Sequence, residues 1–402
     1  MAISITGRTD GGGIISTSGN LGVTGQPALL ATDYLLASQT TGRNVIVNGG
    51  CEVSQVNGTT QATLVNASYP IDNCQAILTL TASGVVKATQ QTVKAGNLTA
   101  LRSLGATSAI QLAVTTAETS VPAGDFCAIR FPVEDLNLAR FQWGTANAKA
   151  ASLQFKVNAS VSGTYSGSIN FSGSTQGWYP FSYTVVGGVD TLITIPNVVG
   201  LTTAATMSSA TAAQVVFNVG AGATYLGTAN TWTTSNILGV TGQTNLFSTL
   251  NATITIADVQ LEVGSFCTTY ERKLYDQVLR ECKRYKRVWT IQDNGITSFT
   301  GQAISATVAV GATTFSIEDM RIPPTSIAIT ETTSHLVPTL TNGTRTTTGS
   351  ATTATVGNGT GGNIVVTATA AGGTLLVAGN ASQITPSSAT TPIIFTTIGS
   401  EI

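Results

Sequence analysis

The sequence predicts an all-β protein, and three observations carry the prediction. Thr makes up about a sixth of the 402 residues and Gly contributes 42, a composition that suits pleated, half-buried surfaces joined by tight turns and suits long helices poorly. Apolar runs with period-two alternation recur, as in Ser152 to Val157, where Leu153, Phe155 and Val157 alternate with Gln154 and Lys156. Turn signals at Ser162-Gly163, Ser166-Gly167, Gly187-Gly188 and Gly220 to Gly222 separate such runs. Strands at spacings of about 8 to 12 residues with no helical period between them mean a sandwich of antiparallel sheets.

Charge narrows the function classes. Only 9% of the residues are charged, against about 25% in an ordinary soluble domain. The 18 basic and 19 acidic groups nearly cancel, so no field steers nucleic acid to the chain. Thr191 to Ala257 contains no Asp, Glu, Lys or Arg. Thr202-Thr203, Ser208-Ser209 and Thr231 to Asn236 interrupt it, and a membrane-spanning helix needs about 20 predominantly apolar residues, so no membrane insertion is expected. The start, MAISITGRTDGGG, lacks the basic and apolar regions of a signal peptide, which points to manufacture in a cytoplasm.

In chain order, residues 1–44 are rich in Gly, Ser and Thr with one apolar patch at Leu29, Leu30, Tyr34 and Leu35. That is too little for an independent core, and the segment reads as an anchor arm that orders against a partner or a sister subunit. Residues 45–270 carry the sandwich, with Gln214 to Val219 another compact run. Its last strand, Ala252 to Glu262, changes phase: Ile254 and Ile256 lie on one parity, Val259 and Leu261 on the other, so a β-bulge is expected near Asp258.

Residues 271–289 read as one amphipathic helix. Leu274, Val278, Cys282, Tyr285 and Trp289 recur at spacings of 4, 4, 3 and 4, and seven of the 18 basic residues lie between Arg272 and Arg287. Arg280, Lys283, Arg284 and Arg287 form a cationic face that is either solvated or docked on a partner or sister chain. Residues 290–402 return to β texture, with no charge from Thr346 to Ser400, candidate strands at Asn363 to Ala368 and Gly373 to Val377, and a break at Pro323-Pro324. They read as a second, smaller β domain stabilised by oligomerisation.

Chemistry-bearing patterns are sparse. The five cysteines (Cys51, Cys74, Cys127, Cys267, Cys282) include no CxxC pair, which argues against zinc and leaves buried thiols or unassigned disulfides as alternatives. His335 is the single histidine, no G-x-S-x-G elbow or phosphate-binding glycine loop is present, and Asp125, Glu134, Asp135 and Asp190 read as surface acids. Trp143, Trp178, Tyr179, Tyr183 and Trp232 are aromatics available in the sandwich. They serve either as core or, at Trp178-Tyr179 and Trp232, as a platform for a sugar ring.

One resemblance is specific. Asn44-Val-Ile-Val-Asn-Gly-Gly-Cys-Glu52 resembles the opening NxxxNGGFE strand of jelly-roll domains in bacteriophage tail fibre and minor tail proteins, with Cys51 where the family has Phe. ASLQFKVNASVSGTY (151–165) resembles the family's SFWVKAS-x-x-GTY pair, and Tyr183 to Pro196 the strand ending in VTIP. The run from Trp232 to Tyr285, with ADVQLEVGS and ERKLYDQVLRECKRY, resembles the block that joins VQLEVGS to CQRYY. DYLLASQTTGR resembles fibre anchor segments. Residues 44–289 are covered.

The resemblance implies a jelly-roll β-sandwich in a structural component of a bacteriophage virion, a tail or other virion fibre protein contributing to assembly and host attachment. It implies no enzymatic role, a homotrimer, virion partners bound through the N-terminal arm, and a virion location. Alternatives are a glycan-binding receptor-recognition module using Trp178, Tyr179 and Trp232 on a host cell-surface glycan, a head or collar fibre or decoration protein, and a polysaccharide depolymerase. The related carbohydrate-binding modules imply a structural calcium held by Gly50, Glu52 and Asp258, and two carboxylates with a carbonyl suit that hard cation.

Overall fold

A computed structural model describes residues 42–81, 83–172, 177–202 and 211–291, and beyond them residues 320, 321 and 324 and the strands up to residue 398. The arm residues Leu29, Leu30, Tyr34 and Leu35 lie outside the described residues, as does the candidate strand at 373–377.

The strands are β1 (Ala62–Thr63), β2 (Gln75–Thr79), β3 (Val85–Thr92), β4 (Ser108–Thr116), β5 (Phe126–Glu134), β6 (Ala151–Ala159), β7 (Gly163–Phe171) and β8 (Gly177–Val185). They continue as β9 (Thr191–Val198), β10 (Thr211–Ala221), β11 (Leu226–Gly227), β12 (Gly239–Val240) and β13 (Thr253–Val263). A six-stranded sheet, β1-β3-β4-β13-β6-β9, faces a five-stranded sheet, β2-β5-β10-β7-β8, and every pairing within them is antiparallel. The chain passes repeatedly from one sheet to the other, so the predicted antiparallel jelly-roll sandwich is the observed fold.

Alternation builds the core. Leu153, Phe155 and Val157 of β6 point inward and are fully buried, as are Val215 and Phe217 of β10. The Phe155 ring lies 4.8 Å from Phe217 and 5.0 Å from Tyr183, edge on in both cases. In β13 the register against β6 shifts between Ala257 and Gln260, and Asp258 takes a left-handed φ of 50°. The bulge turns Val259 and Leu261 into the core that Ile254 and Ile256 began.

Helix α1 (Asp135–Leu138) ends β5, and α2 (Tyr275–Lys283) follows the sandwich. The second helix is shorter than the sequence pattern. Leu274 is its N-cap with extended dihedrals, so it leaves the apolar stripe and is 80% exposed, whereas Val278, Cys282 and Tyr285 pack on Val47 and Val53. Val288 and Trp289 are already strand, in β14 (Val288–Ile291). No helix among the described residues is long and apolar enough to cross a membrane.

The remaining strands are β15 (Phe299–Ala303), β16 (Val308–Thr314), β17 (Ser326–Ile329), β18 (Ser334–Leu340), β19 (Gly343–Thr344), β20 (Thr347–Val356), β21 (Asn363–Ala370), β22 (Ala381–Pro386) and β23 (Ile393–Ile398). They form a sheet in the order β14-β23-β17-β20-β21-β16-β15-β22-β18-β19, and β18 also pairs with β20. The pairings β20-β21-β16-β15-β22-β18-β20 therefore close a ring of antiparallel strands, and closure removes free sheet edges.

Candidate functional site

The residues that carry the resemblance meet at the seam between the start of the sandwich and its last strand. Asn44 donates from Nδ2 to the Val259 carbonyl at 2.9 Å, and its Oδ1 accepts from the Ile46 and Leu261 amides at 3.0 and 3.2 Å. Asn48, left-handed at φ 56°, donates to the Val53 and Asp72 carbonyls at 2.9 and 2.7 Å. A Cβ on Gly49 would collide with the Val259 carbonyl oxygen, which is why this close approach takes glycine. From the other side, Glu271 accepts from the Gly42 amide and from the Asn44 amide at 2.8 Å. Gln260 accepts from the Glu271 amide at 2.7 Å, and Glu262 binds the Thr268 amide and hydroxyl, each at 2.7 Å.

Glu52 and Asp258 converge at this seam, but two organic cations already hold them. Asp258 Oδ2 accepts from Lys156 Nζ at 2.6 Å and from Arg272 Nη2 at 2.9 Å, and Arg272 Nη1 reaches Glu52 Oε1 at 3.3 Å. The guanidinium also donates to the Thr107 hydroxyl at 2.8 Å and the Gly105 carbonyl at 3.1 Å, and lies over the Tyr270 ring at 5.4 Å. Two carboxylates and two cations neutralise each other, so Gly50, Glu52 and Asp258 do not fit the calcium site the resemblance implies, although Asp258 Oδ1 is buried without a hydrogen-bond partner. Among the described residues no group of three or more His, Cys, Asp and Glu is placed to hold a metal. Burial raises the Glu52 carboxyl above its ordinary pKa, opposed by the Thr107 hydrogen bond and the Arg272 charge.

Glu134 is a second buried carboxylate, and not the surface acid the sequence pattern implies. Its Oε1 accepts from Arg284 Nη2 at 2.8 Å and from Arg321 Nε at 2.9 Å, and its Oε2 from the Tyr285 hydroxyl at 2.7 Å. Burial opposes its ionisation, but the Arg284 and Tyr285 hydrogen bonds and the two arginine charges outweigh it and lower its pKa. The Arg321 amide donates to the Arg284 carbonyl at 2.8 Å, and the Thr397 amide to the Arg287 carbonyl at 3.0 Å. The cationic face is thus partly internal. Arg284 turns inward and Arg287 Nε donates to the Lys283 carbonyl at 3.2 Å, whereas Arg280 stays exposed.

The aromatic platform is not one. Trp178 and Tyr179 are 7% and 6% exposed, because adjacent residues of β8 face opposite sides of its sheet and both sides are covered. Trp178 packs with Ala128, Val216, Ile237 and Leu238 beneath the segment that returns to pair at Thr233. Tyr179 faces the core, 5.4 Å from Trp232, and Trp232 donates from Nε1 to the Val199 carbonyl at 2.7 Å and packs against Trp143 at 5.4 Å. All five cysteines are free thiols. Burial pushes the Cys127 thiol up to about 12 and, opposed in part by a Ser152 hydrogen bond, Cys267 to about 11, so neither is a nucleophile.

A groove of about 1040 Å³ lies at one end of the sandwich. Glu52, Gln90, Thr107, Arg272, Lys273 and exposed Lys94 are among its polar lining, and Val93, Leu274 and Tyr275 form its exposed apolar rim. No motif marks it, because it is made from strand ends and a helix start that are distant in sequence.

No family model matches the chain, and no curated protein matches it. Among solved structures, the enzymatically active domain of bacteriophage CBA120 tailspike protein 4 is similar at 15% identity and a TM-score of 0.29, over 55% of this chain and 21% of that one. The chain thus spans about a fifth of that structure. A family 11 carbohydrate-binding module from Clostridium thermocellum, in complex with a β-1,3-1,4-mixed-linked tetrasaccharide, is similar at 8% identity and a TM-score of 0.25, over 52% and 98%. The N-terminal cellulose-binding domain of Cellulomonas fimi β-1,4-glucanase C is similar at 14% identity and a TM-score of 0.23, over 40% and 82%. The sandwich itself is defined by its strand pairings.

Proposed function

We propose that this chain is a non-enzymatic structural protein of a bacteriophage virion, a tail or other fibre component that contributes to assembly and host attachment. The observation that carries this reading is the meeting of Arg284, Tyr285 and Arg321 on Glu134. The sequence block that resembles phage tail proteins is used to close the sandwich and then to tie it to the sheet that follows, which is the work of a connector between modules. Arg284, Tyr285 and Arg321 are engaged with Glu134 rather than presented to solvent as a set.

In this reading the arm with Leu29, Leu30, Tyr34 and Leu35 binds other virion proteins. The charge-poor strands after residue 290 meet sister chains in a homotrimer. The mass of the full chain in solution tests the assembly: a species near three times 41.1 kDa supports it, and a monomer at every concentration counts against it.

A further inference from the structure

The chain enters the described fold beside the groove at the end of the sandwich. The Gly42 amide donates to Glu271, the Gly42 carbonyl accepts from Arg140, and Arg43 Nη2 donates to the Thr269 carbonyl at 3.2 Å. The root of the N-terminal arm is thus pinned against the segment that leads into α2. Leu274 and Tyr275, on the rim of the groove, follow Glu271 by three and four residues, at most about 14 Å of extended chain. Lys273 lines both the groove and the smaller cavity that Gly42 also lines. The rim is apolar and open to solvent, with Leu274 80%, Tyr275 54% and Val93 48% exposed. Of the charged groups in the groove, Arg272 pairs with Glu52 and Asp258, and Lys273 with Glu281. Lys94 is exposed and makes no ion pair among the described residues.

We propose that this groove is the docking site of the apolar patch of the chain's own arm, residues 29–36, which lie outside the described residues. Reach allows it. Ala37 to Thr41 separate Leu36 from Gly42, a tether that spans up to about 20 Å, more than the stretch from Glu271 to the rim. The chemistry is complementary: Leu29, Leu30, Tyr34, Leu35 and Leu36 meet Leu274, Tyr275 and Val93, and taking both surfaces out of water is favourable. Charge sets the register, because Asp33 is the one charged residue between Asp10 and Arg43 and it falls within the patch, opposite in sign to Lys94. Docking is through side chains, since Asn97 blocks strand addition at the edge of β3 by accepting from the Thr92 amide at 2.8 Å and donating to the Gln90 carbonyl at 3.2 Å. A sister chain carries the same patch, but the short tether gives the chain's own arm an effective concentration of the order of millimolar. The inference concerns where the arm rests when no other protein holds it, and it does not depend on the chain being a virion protein.

The test uses the full chain with Tyr275 replaced by the photoreactive p-benzoylphenylalanine, prepared as an equal mixture of isotope-labelled and unlabelled molecules. After irradiation, trypsin digestion and mass spectrometry, the expected result is a cross-link from the photoreactive residue to residues 29–36, with both partners carrying the same isotope. Leu35→Asp is expected to abolish it, Asp33→Lys to weaken it, and Lys94→Glu added to Asp33→Lys to restore it. The same photoreactive residue in place of Phe266, an exposed position outside the groove, is expected to give no cross-link to the arm. No cross-link to residues 29–36, cross-links only between labelled and unlabelled chains, a cross-link that Leu35→Asp leaves undiminished, or an equal one from position 266 overturns the proposal.

Discussion

Arg284 Nη2 lies 2.8 Å from Glu134 Oε1, across 150 residues of sequence, and Arg321 meets the same oxygen at 2.9 Å. One carboxylate at the end of β5 therefore holds Arg284 and Tyr285, which follow helix α2, together with Arg321 of the segment beyond. Removing its charge leaves two guanidiniums facing each other, and breaking a buried pair costs about 3 to 5 kcal/mol. Because Arg284 is partly exposed, Glu134→Gln is expected at the low end, as an earlier melting transition in calorimetry of the full chain.

The same carboxylate sets a pH dependence. Its pKa is lowered in the folded chain from an ordinary value of 4.5, so its contribution is fully present above that value and is lost as the pH falls through the lowered one. Glu52 has the opposite sign: its raised pKa gives a contribution present below 4.5 and lost as the pH rises through the raised value. Glu134→Gln is expected to flatten the acid limb of the melting temperature against pH. A limb unchanged in that variant would assign acid unfolding to other groups.

Ion pairs of Lys156 and Arg272 with Asp258 and Glu52 close the seam. Adding EDTA or millimolar calcium is expected to leave the melting temperature unchanged, whereas Arg272→Ala lowers it, because it leaves Asp258 with Lys156 alone and Glu52 without its cation. A calcium-dependent rise of several degrees in the unmodified chain would contradict this.

Gly49→Ala places a methyl group against the Val259 carbonyl, which is backbone and cannot step aside. The seam must open, at an expected cost of about 2 to 4 kcal/mol, read as a lower denaturant midpoint with an unchanged slope.

Trp178→Ala tests the corrected role of that residue. As a buried residue its loss is expected to cost about 3 kcal/mol or more, read as a lower melting temperature of the full chain. A variant as stable as the unmodified chain would contradict the buried role.

The sandwich was legible in the sequence because alternation and turn residues are local, and the bulge at Asp258 showed as a parity change within one strand. The site was less so. Trp178 and Tyr179 read as a platform because glycines flank them, but their cover comes from residues near Thr233 and from the opposite sheet. Leu274 fits the helical spacing and yet falls outside the helix. Glu134 carries no motif, since its partners lie 150 and 187 residues away. The groove likewise depends on Thr92 and Ser108 being placed opposite each other by strand pairing.

The reading as a virion structural protein is tested most directly on the particles themselves. Phage particles carrying this chain, banded on a density gradient and labelled with gold-tagged antibody against the sandwich, are expected to show label at a fixed position on every particle, with the chain at a constant copy number by quantitative mass spectrometry. Recovery of the chain only in the soluble fraction, with none on the banded particles, would contradict the proposal.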